Sequence, residues 1–413
     1  MRLNDLRMPG KDPIRLNDLR MPGQEGMIDL VIADGKIVAV LARGEDASGM
    51  EDASRPEDAS GTVAGQTEGI SFDGALVFPG LINSHDHLDF NLFPLLGNRV
   101  YTNYRQWGPD IQSNQSSVIR DVLKVPRNLR IAWGIYKNLL NGFTTVINHG
   151  DELPVDDPLI DVFQQCHCLH SVGFDKYWKW KLNRPLAGRR PFVLHVGEGT
   201  DALAWQEIDQ LIRWNLFKRP LIGVHGVAMN EEQANAFRAL VWCPTSNYFL
   251  LNRTAPVARL KERVPILFGT DSTLTGGWNG WQQIRQAREE EAMTDPELLA
   301  TLTKAPAAAW GLTDRGEIAV GKVADLVIAR PKAGHRGMDA FFGLDPEDLL
   351  LVIHHGRIRV FDQTLLGPLT AMGLPATDFC ATGQGGKYVE GDLPGLMEEI
   401  RGYYPEMAFP AMP

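Results

Sequence analysis

His85 and His87 stand one residue apart at the end of an apolar run, FPGLINSHDH at residues 78–87. On an extended chain alternate side chains share a face, so both imidazoles can enter one cavity. Paired imidazoles suit Zn²⁺ or Fe²⁺. Three further apolar runs end in the same grammar. One closes on His195, with Glu198 three residues later; one closes on His225; one closes on Asp271. Four strand ends thus carry residue types that bind metals or move protons. If the strands are parallel and close into a barrel, those ends meet on one rim, where catalytic groups sit.

The elements that must position them read as strand, helix, strand. Candidate strands are Ala75–Leu81, Thr144–Ile147, Cys168–Val172, Phe192–Val196, Leu221–Val224, Leu240–Cys243 and Pro265–Phe268. Helical patterns such as Asn128–Leu140 and Asp201–Trp214 lie between them. Such alternation favours a (β/α)8 TIM-type barrel or a doubly wound sheet. No G-x-G-x-x-G or Walker loop follows a strand, which lowers the second option. The spacing puts the candidate residues on strands 1, 5, 6 and 8. One clear strand, Cys168–Val172, stands between His149 and Phe192 where a barrel needs two, so a strand there is shortened or cryptic.

Both chain ends are rich in short strands. Met27–Leu41 has apolar runs on either side of Asp34-Gly35, a hairpin signal, and Leu350–Val360 repeats the pattern around His355-Gly356. The expected organisation is a barrel at 75–314 and a small β-sandwich composed of 27–74 and 315–375, followed by a C-terminal extension at 376–413. Residues 1–26 contain RLNDLRMPG twice, and EDAS occurs three times within the loop at 45–60. Both repeats read as polar, solvated sequence, poorly ordered in the first case.

Composition narrows the partners. The net charge is −10, which disfavours nucleic acid or an anionic membrane as partner. The four cysteines are too few and scattered for a disulfide framework. The N-terminus lacks a signal-peptide core, and no apolar run spans a bilayer. A soluble cytoplasmic enzyme acting on a small molecule is expected.

PGLINSHDHL, HVGE, GVHG and GTDS together resemble the amidohydrolase superfamily. CPTSNYFLLNRTAPVARL at 243–260 and GKVADLVI at 321–328 are similar to its cytosine deaminase and triazine hydrolase branch. The resemblance covers roughly 27–41 and 72–360. It implies one divalent metal, Zn or Fe, held by His85, His87, His195 and Asp271. It implies that Glu198 shuttles protons between water, ring nitrogen and leaving group. It implies that His225 positions the attacking water, or binds a metal in two-metal relatives, and that Asn247 lies near the pocket floor. Look-alikes with this architecture often form homodimers. Elementary chemistry agrees with the implied roles: such a metal brings the pKa of bound water from about 16 to about 7, and a carboxyl like Glu198 can act as acid and base.

Other residues invite weaker readings. His149 ends a strand and is a candidate for lining the pocket. Trp107, near Arg105 and Gln106 in the loop after the first barrel strand, could stack on a planar heterocycle, as could Trp278 and Trp281. Gly197 and Gly199 flank Glu198 and could loosen it. Lys176 is a rival as a carbamylated bridge between two metals, though it reads as a solvated loop residue. His167 and His170 read as packing or surface residues, His354 and His355 as a turn, and His335 as loop. The leading function is hydrolytic deamination or dechlorination of a nitrogen heterocycle. The alternatives are hydrolysis of a cyclic amide, imidazolone or hydantoin in type, and a catalytically silent protein that binds a metal or ligand.

Overall fold

A computed structural model describes residues 13–43, 69–185, 188, 190–382 and 386–410; the first copy of the duplicated nonapeptide and the EDAS repeats lie outside these residues. The N-terminal sheet comprises β1 (Ile14–Leu19), β2 (Ile28–Ala33), β3 (Lys36–Ala42) and β4 (Ile70–Ser71), in the order β3-β2-β1-β4. Asp34 and Gly35 take φ of 49° and 76°, the left-handed pair a tight hairpin requires. The second copy of the duplicated nonapeptide is not loose polar chain, as its composition suggested. It supplies β1, which pairs with both β2 and β4. Asp18, at φ 60°, sits where the β1–β2 register shifts. That bulge lets Leu16 and Leu19, three residues apart, both bury.

The next apolar run was expected to be one strand. It is two, in different sheets. β5 (Leu76–Pro79) joins an antiparallel sheet, and β6 (Leu81–Asp86) begins the parallel system. Gly80 makes the crossing possible. Its N–H donates to the Asp325 carbonyl, and any Cβ there would lie 2.2 Å from Thr144 Oγ1.

β6, β7 (Phe143–Asn148) and β8 (Asp161–Phe163) form one parallel ribbon. β9 (His167–Ser171), β10 (Phe192–Val196), β11 (Leu221–His225), β12 (Ala239–Trp242) and β13 (Ile266–Phe268) form a second. β8 is the strand missing from the sequence pattern. The two ribbons approach where Asp271 N–H donates to His85 O at 3.0 Å, joining the chain after β13 to β6. Residues in β10, β11 and β12 are buried throughout, as expected of parallel strands covered on both faces.

β14 (Leu326–Ala329), β15 (Leu349–His354), β16 (Arg357–Asp362), β17 (Phe379–Ala381) and β18 (Lys387–Glu390) complete the other antiparallel sheet, ordered β17-β18-β16-β15-β14-β5. β17 and β18 lie in the stretch after residue 375 that was read as an extension. One apolar cluster draws Leu16, Leu30 and Ile37 from the N-terminal sheet together with Val77, Ile328 and Phe361 from this one. No helix among the described residues is long and apolar enough to cross a membrane.

Candidate metal centre and active site

The C-terminal ends of β6, β10, β11 and β13 bring the expected side chains together. His85 Nε2 lies 3.3 Å from His195 Nε2 and 3.7 Å from Asp271 Oδ1. His87 Nε2 lies 3.8 Å from the same carboxylate oxygen. Four ligands about 2.1 Å from a tetrahedral zinc sit about 3.4 Å apart, so these separations suit one shared cation. Burial, then neighbouring imidazoles, hold His85 and His195 well below the ordinary histidine pKa. Both are neutral, as metal ligands must be. Their facing Nε2 atoms have at most one proton to share, and a cation between them would satisfy both lone pairs. The donor set fits a divalent metal, and imidazole with carboxylate suits zinc and iron alike.

His149 sits closer to this group than a residue of the pocket wall. One nitrogen each from His85, His87, His149 and His195 falls within 4.8 Å of the others, and so do one nitrogen each from His85 and His225 and a carboxylate oxygen of Asp271. His149 is 3% exposed. Its Nε2 faces the Leu169 carbonyl at 3.0 Å, its Nδ1 has no hydrogen-bond partner, and burial drives its pKa down to about 3.

Two of the site residues occupy backbone conformations unusual for anything but glycine. His225 has φ 74° and Asp271 φ 56°. Such strain costs about 1–3 kcal/mol per residue and persists where surrounding contacts impose it. At Asp271 those contacts are explicit. Oδ2 accepts from Ser246 Oγ at 2.9 Å and Thr275 Oγ1 at 3.0 Å, and Oδ1 accepts from Ser272 N–H at 2.7 Å. Burial raises the pKa of Asp271, but His87, His225 and these donors outweigh it and keep the carboxyl below its usual range.

Glu198 is 6% exposed, with Oε1 3.7 Å from His225 Nε2. Burial lifts its pKa to about 7, the range in which a carboxyl both gives and takes a proton at neutral pH. The flanking glycines tighten its setting, contrary to expectation. Gly197 takes φ 61°, and a Cβ there would lie 2.9 Å from Ile208 Cδ1. A Cβ at Gly199 would lie 2.7 Å from Asn103 Cβ. Only glycine at these two positions lets the loop beside Glu198 pack this closely.

The sequence model of the Amidohydrolase family matches residues 193–360, the span that contains His195, Glu198, His225 and Asp271. A 5-methylthioadenosine/S-adenosylhomocysteine deaminase of Syntrophobacter fumaroxidans is 23% identical over 377 residues, covering 73% of this chain and 84% of that one. The chain is similar to members of the amidohydrolase superfamily. A guanine deaminase of Mus musculus is 28% identical over 146 residues, 31% of this chain and 32% of its own length. The fold is shared with two solved structures. One is an adenosine deaminase from Xanthomonas campestris with bound zinc, at TM-score 0.67, 20% identity and coverage of 96% and 98%. The other is an atrazine chlorohydrolase from Arthrobacter aurescens TC1 complexed with zinc, at TM-score 0.63, 17% identity and coverage of 87% and 99%.

Beneath these histidines lies a buried polar cluster that the sequence did not announce. Lys137, on the helix Arg127–Leu140, is 2% exposed. Its Nζ reaches Asp86 Oδ2 at 3.2 Å, Asn91 Oδ1 at 2.9 Å and the Asp271 carbonyl at 3.1 Å. Asp86, the last residue of β6, between His85 and His87, also accepts from Asn91 and Asn138. One ammonium thereby ties the end of β6 to the Asp271 turn. Lys137→Met should cost about 3–5 kcal/mol, because it strands the Asp86 charge in the interior. Urea unfolding midpoints of the two proteins measure this, and an unchanged midpoint would refute the tie.

Other expected site residues fall elsewhere. Asn247 is fully buried, and its Oδ1 accepts from His225 Nδ1 at 2.9 Å. Its amide donates to Thr254 Oγ1 at 3.2 Å. It therefore orients His225 rather than facing open space. Trp107 spends its indole N–H on the Leu96 carbonyl at 2.6 Å and packs with Tyr101, Val227 and Leu250. Arg105 is ion-paired with Glu207. Trp281 is core, and Lys176 is exposed. His170, read as a packing or surface residue, stands near the group, with its ring centroid 5.2 Å from that of His195.

Proposed function

We propose that this amidohydrolase deaminates or dechlorinates a nitrogen heterocycle, with one divalent metal, zinc or iron, held by His85, His87, His195 and Asp271. The observation that carries the reading is Glu198, a buried carboxyl poised near neutrality beside His225 and three residues beyond a metal donor. When bound, the metal would supply a water activated at neutral pH. Asp271, kept ionised by its neighbours, takes the proton that this water loses. Glu198 protonates a ring nitrogen, takes up the remaining proton of the added hydroxyl and passes it to a departing amine, and the proton held by Asp271 then restores Glu198. Chloride leaves as the anion and needs no proton. His225, with Nδ1 fixed by Asn247, keeps Nε2 directed at Glu198 and at the incoming water. Deaminases among the relatives and a chlorohydrolase of the same fold support the choice of leaving group.

The reading includes an architecture. The parallel ribbons would close as a (β/α)8 barrel, supported by the Asp271–His85 hydrogen bond. The antiparallel sheets would form a β-sandwich, supported by their common apolar cluster. A cytoplasmic location is part of the same proposal, in keeping with four free cysteines.

The test is product release from aminopurines, aminopyrimidines and amino- or chlorotriazines, alongside metal content by mass spectrometry. Ammonia or chloride from any of them, dependent on metal, is the expected result. Ring opening of a cyclic amide without ammonia would replace this reading, and metal-loaded protein inert toward both classes would overturn catalysis itself.

A further inference from the structure

His149 stands inside the histidine group without a place in the metal set proposed above. The strands bring it there. Asp86 of β6 pairs with Asn148 of β7, so His87 and His149, the next residue on each chain, come side by side. Their rings lie nearly parallel, at 18°. The His149 N–H donates to the Asp86 carbonyl at 2.9 Å, which holds the residue against the H-x-H segment through the main chain.

Ring positions set His149 apart from the other histidines nearby. The centroids of His85, His87 and His195 lie 4.9, 5.1 and 5.4 Å from one another. The His149 centroid lies 5.1, 5.4 and 4.4 Å from these three. It is as near to each of them as they are to one another. Rings that share one cation through nitrogens about 2.1 Å from it have centroids about 5 Å apart. His225 is placed differently, at 5.2 Å from His195 and 5.9 Å from His85, with its Nδ1 engaged by Asn247.

Hydrogen bonding leaves His149 with a bare lone pair. A main-chain carbonyl only accepts, so the 3.0 Å contact between His149 Nε2 and Leu169 O puts the ring proton on Nε2. Nδ1 is then an unprotonated acceptor. It is buried and receives no hydrogen bond, although buried polar atoms ordinarily have partners. A ring with one nitrogen donating to a carbonyl and the other free is how proteins aim a histidine at a metal.

We propose that His149 is a further ligand of the catalytic cation, bound through Nδ1 alongside His85, His87, His195 and Asp271. The inference rests on the metal centre of the proposed function and adds a fourth imidazole to it. Its consequence lies in the proton step. Asp271 holds a cation less well while it carries a proton, because its charge is then lost. A fourth neutral donor keeps the ion in place through that stage.

The test observes the ring nitrogens by NMR, in metal-free protein with isotope-labelled histidine, as zinc is added. Zinc should move a ring-nitrogen signal of His85, His87, His149 and His195, and His149→Gln should remove one of these signals. Glutamine can still donate its amide to Leu169 O, so the metal-free variant should keep the urea midpoint of wild type. Its zinc affinity, measured by competition with a chelator, should fall at least about a hundredfold, beyond the roughly 10–100-fold that outer partners of ligands contribute. Movement at His85, His87 and His195 with His149 unmoved would overturn the inference and leave the metal centre standing. Wild-type affinity in the His149→Gln protein would do the same. Zinc that moves none of these nitrogens would overturn the metal centre and this ligand with it.

Discussion

His85→Ala and Asp271→Ala proteins are expected to lose the metal at the histidine centre and, with it, at least about three powers of ten in turnover. The estimate follows from the several kcal/mol a catalytic metal contributes, at about 1.4 kcal/mol per tenfold. His85 is the best single probe. Its Nε2 faces both His195 Nε2 and Asp271 Oδ1, and it has no exposure through which water could replace it. Asp271 tests the same centre from another strand, and its loss also frees the hydroxyls of Ser246 and Thr275. Metal content of each purified variant decides the matter. Full loading at this centre in both would sink the ligand assignment, whatever happens to the rate.

The parts of this site that could be read from sequence share one property: each lies where an apolar strand stops and a polar side chain begins. That pattern exposes His85, His87, His195, His225 and Asp271, because parallel strands buried on both faces are written as continuous apolar runs. β8 escapes the same logic. It is three residues long, begins on Asp161 and is only half buried, so it offers no run to detect. Lys137 escapes for another reason. A lysine in the last turn of a helix looks like any favourable charge near a helix C-terminus, and only packing reveals that the ammonium points inward to Asp86. His149 shows the limit from the other side. It obeys the strand-end pattern, but sequence offers no way to judge how near its ring comes to His195.

The glycines around Glu198 carry the same lesson. Read alone, Gly197 and Gly199 suggest a loose loop. In the fold they are the two positions at which a methyl group would strike Ile208 and Asn103. Composition reports backbone freedom, whereas the neighbours decide whether that freedom is used for motion or for close contact. The second copy of the N-terminal repeat departs from its polar composition in the same way: its polar residues hide the Leu16 and Leu19 pair that a bulge brings to one side.

Glu198→Gln is expected to retain its metal and lose about 10²–10⁴-fold in turnover, the usual contribution of a positioned acid–base group. The substitution keeps size and hydrogen-bonding shape, so folding and metal content should match wild type. What it removes is the proton. A carboxyl whose pKa burial has raised to about 7 is protonated in a useful fraction of molecules at neutral pH, and its conjugate base is present to be reprotonated in the next cycle. Glutamine has neither form. The single-variant outcome separates the two halves of the proposed site: metal content reports on the histidines and Asp271, and the rate reports on Glu198. A Glu198→Gln protein with normal metal and undiminished turnover would transfer the proton step to His225, whose Nε2 faces the same space, and the mechanism would have to be rebuilt around that imidazole.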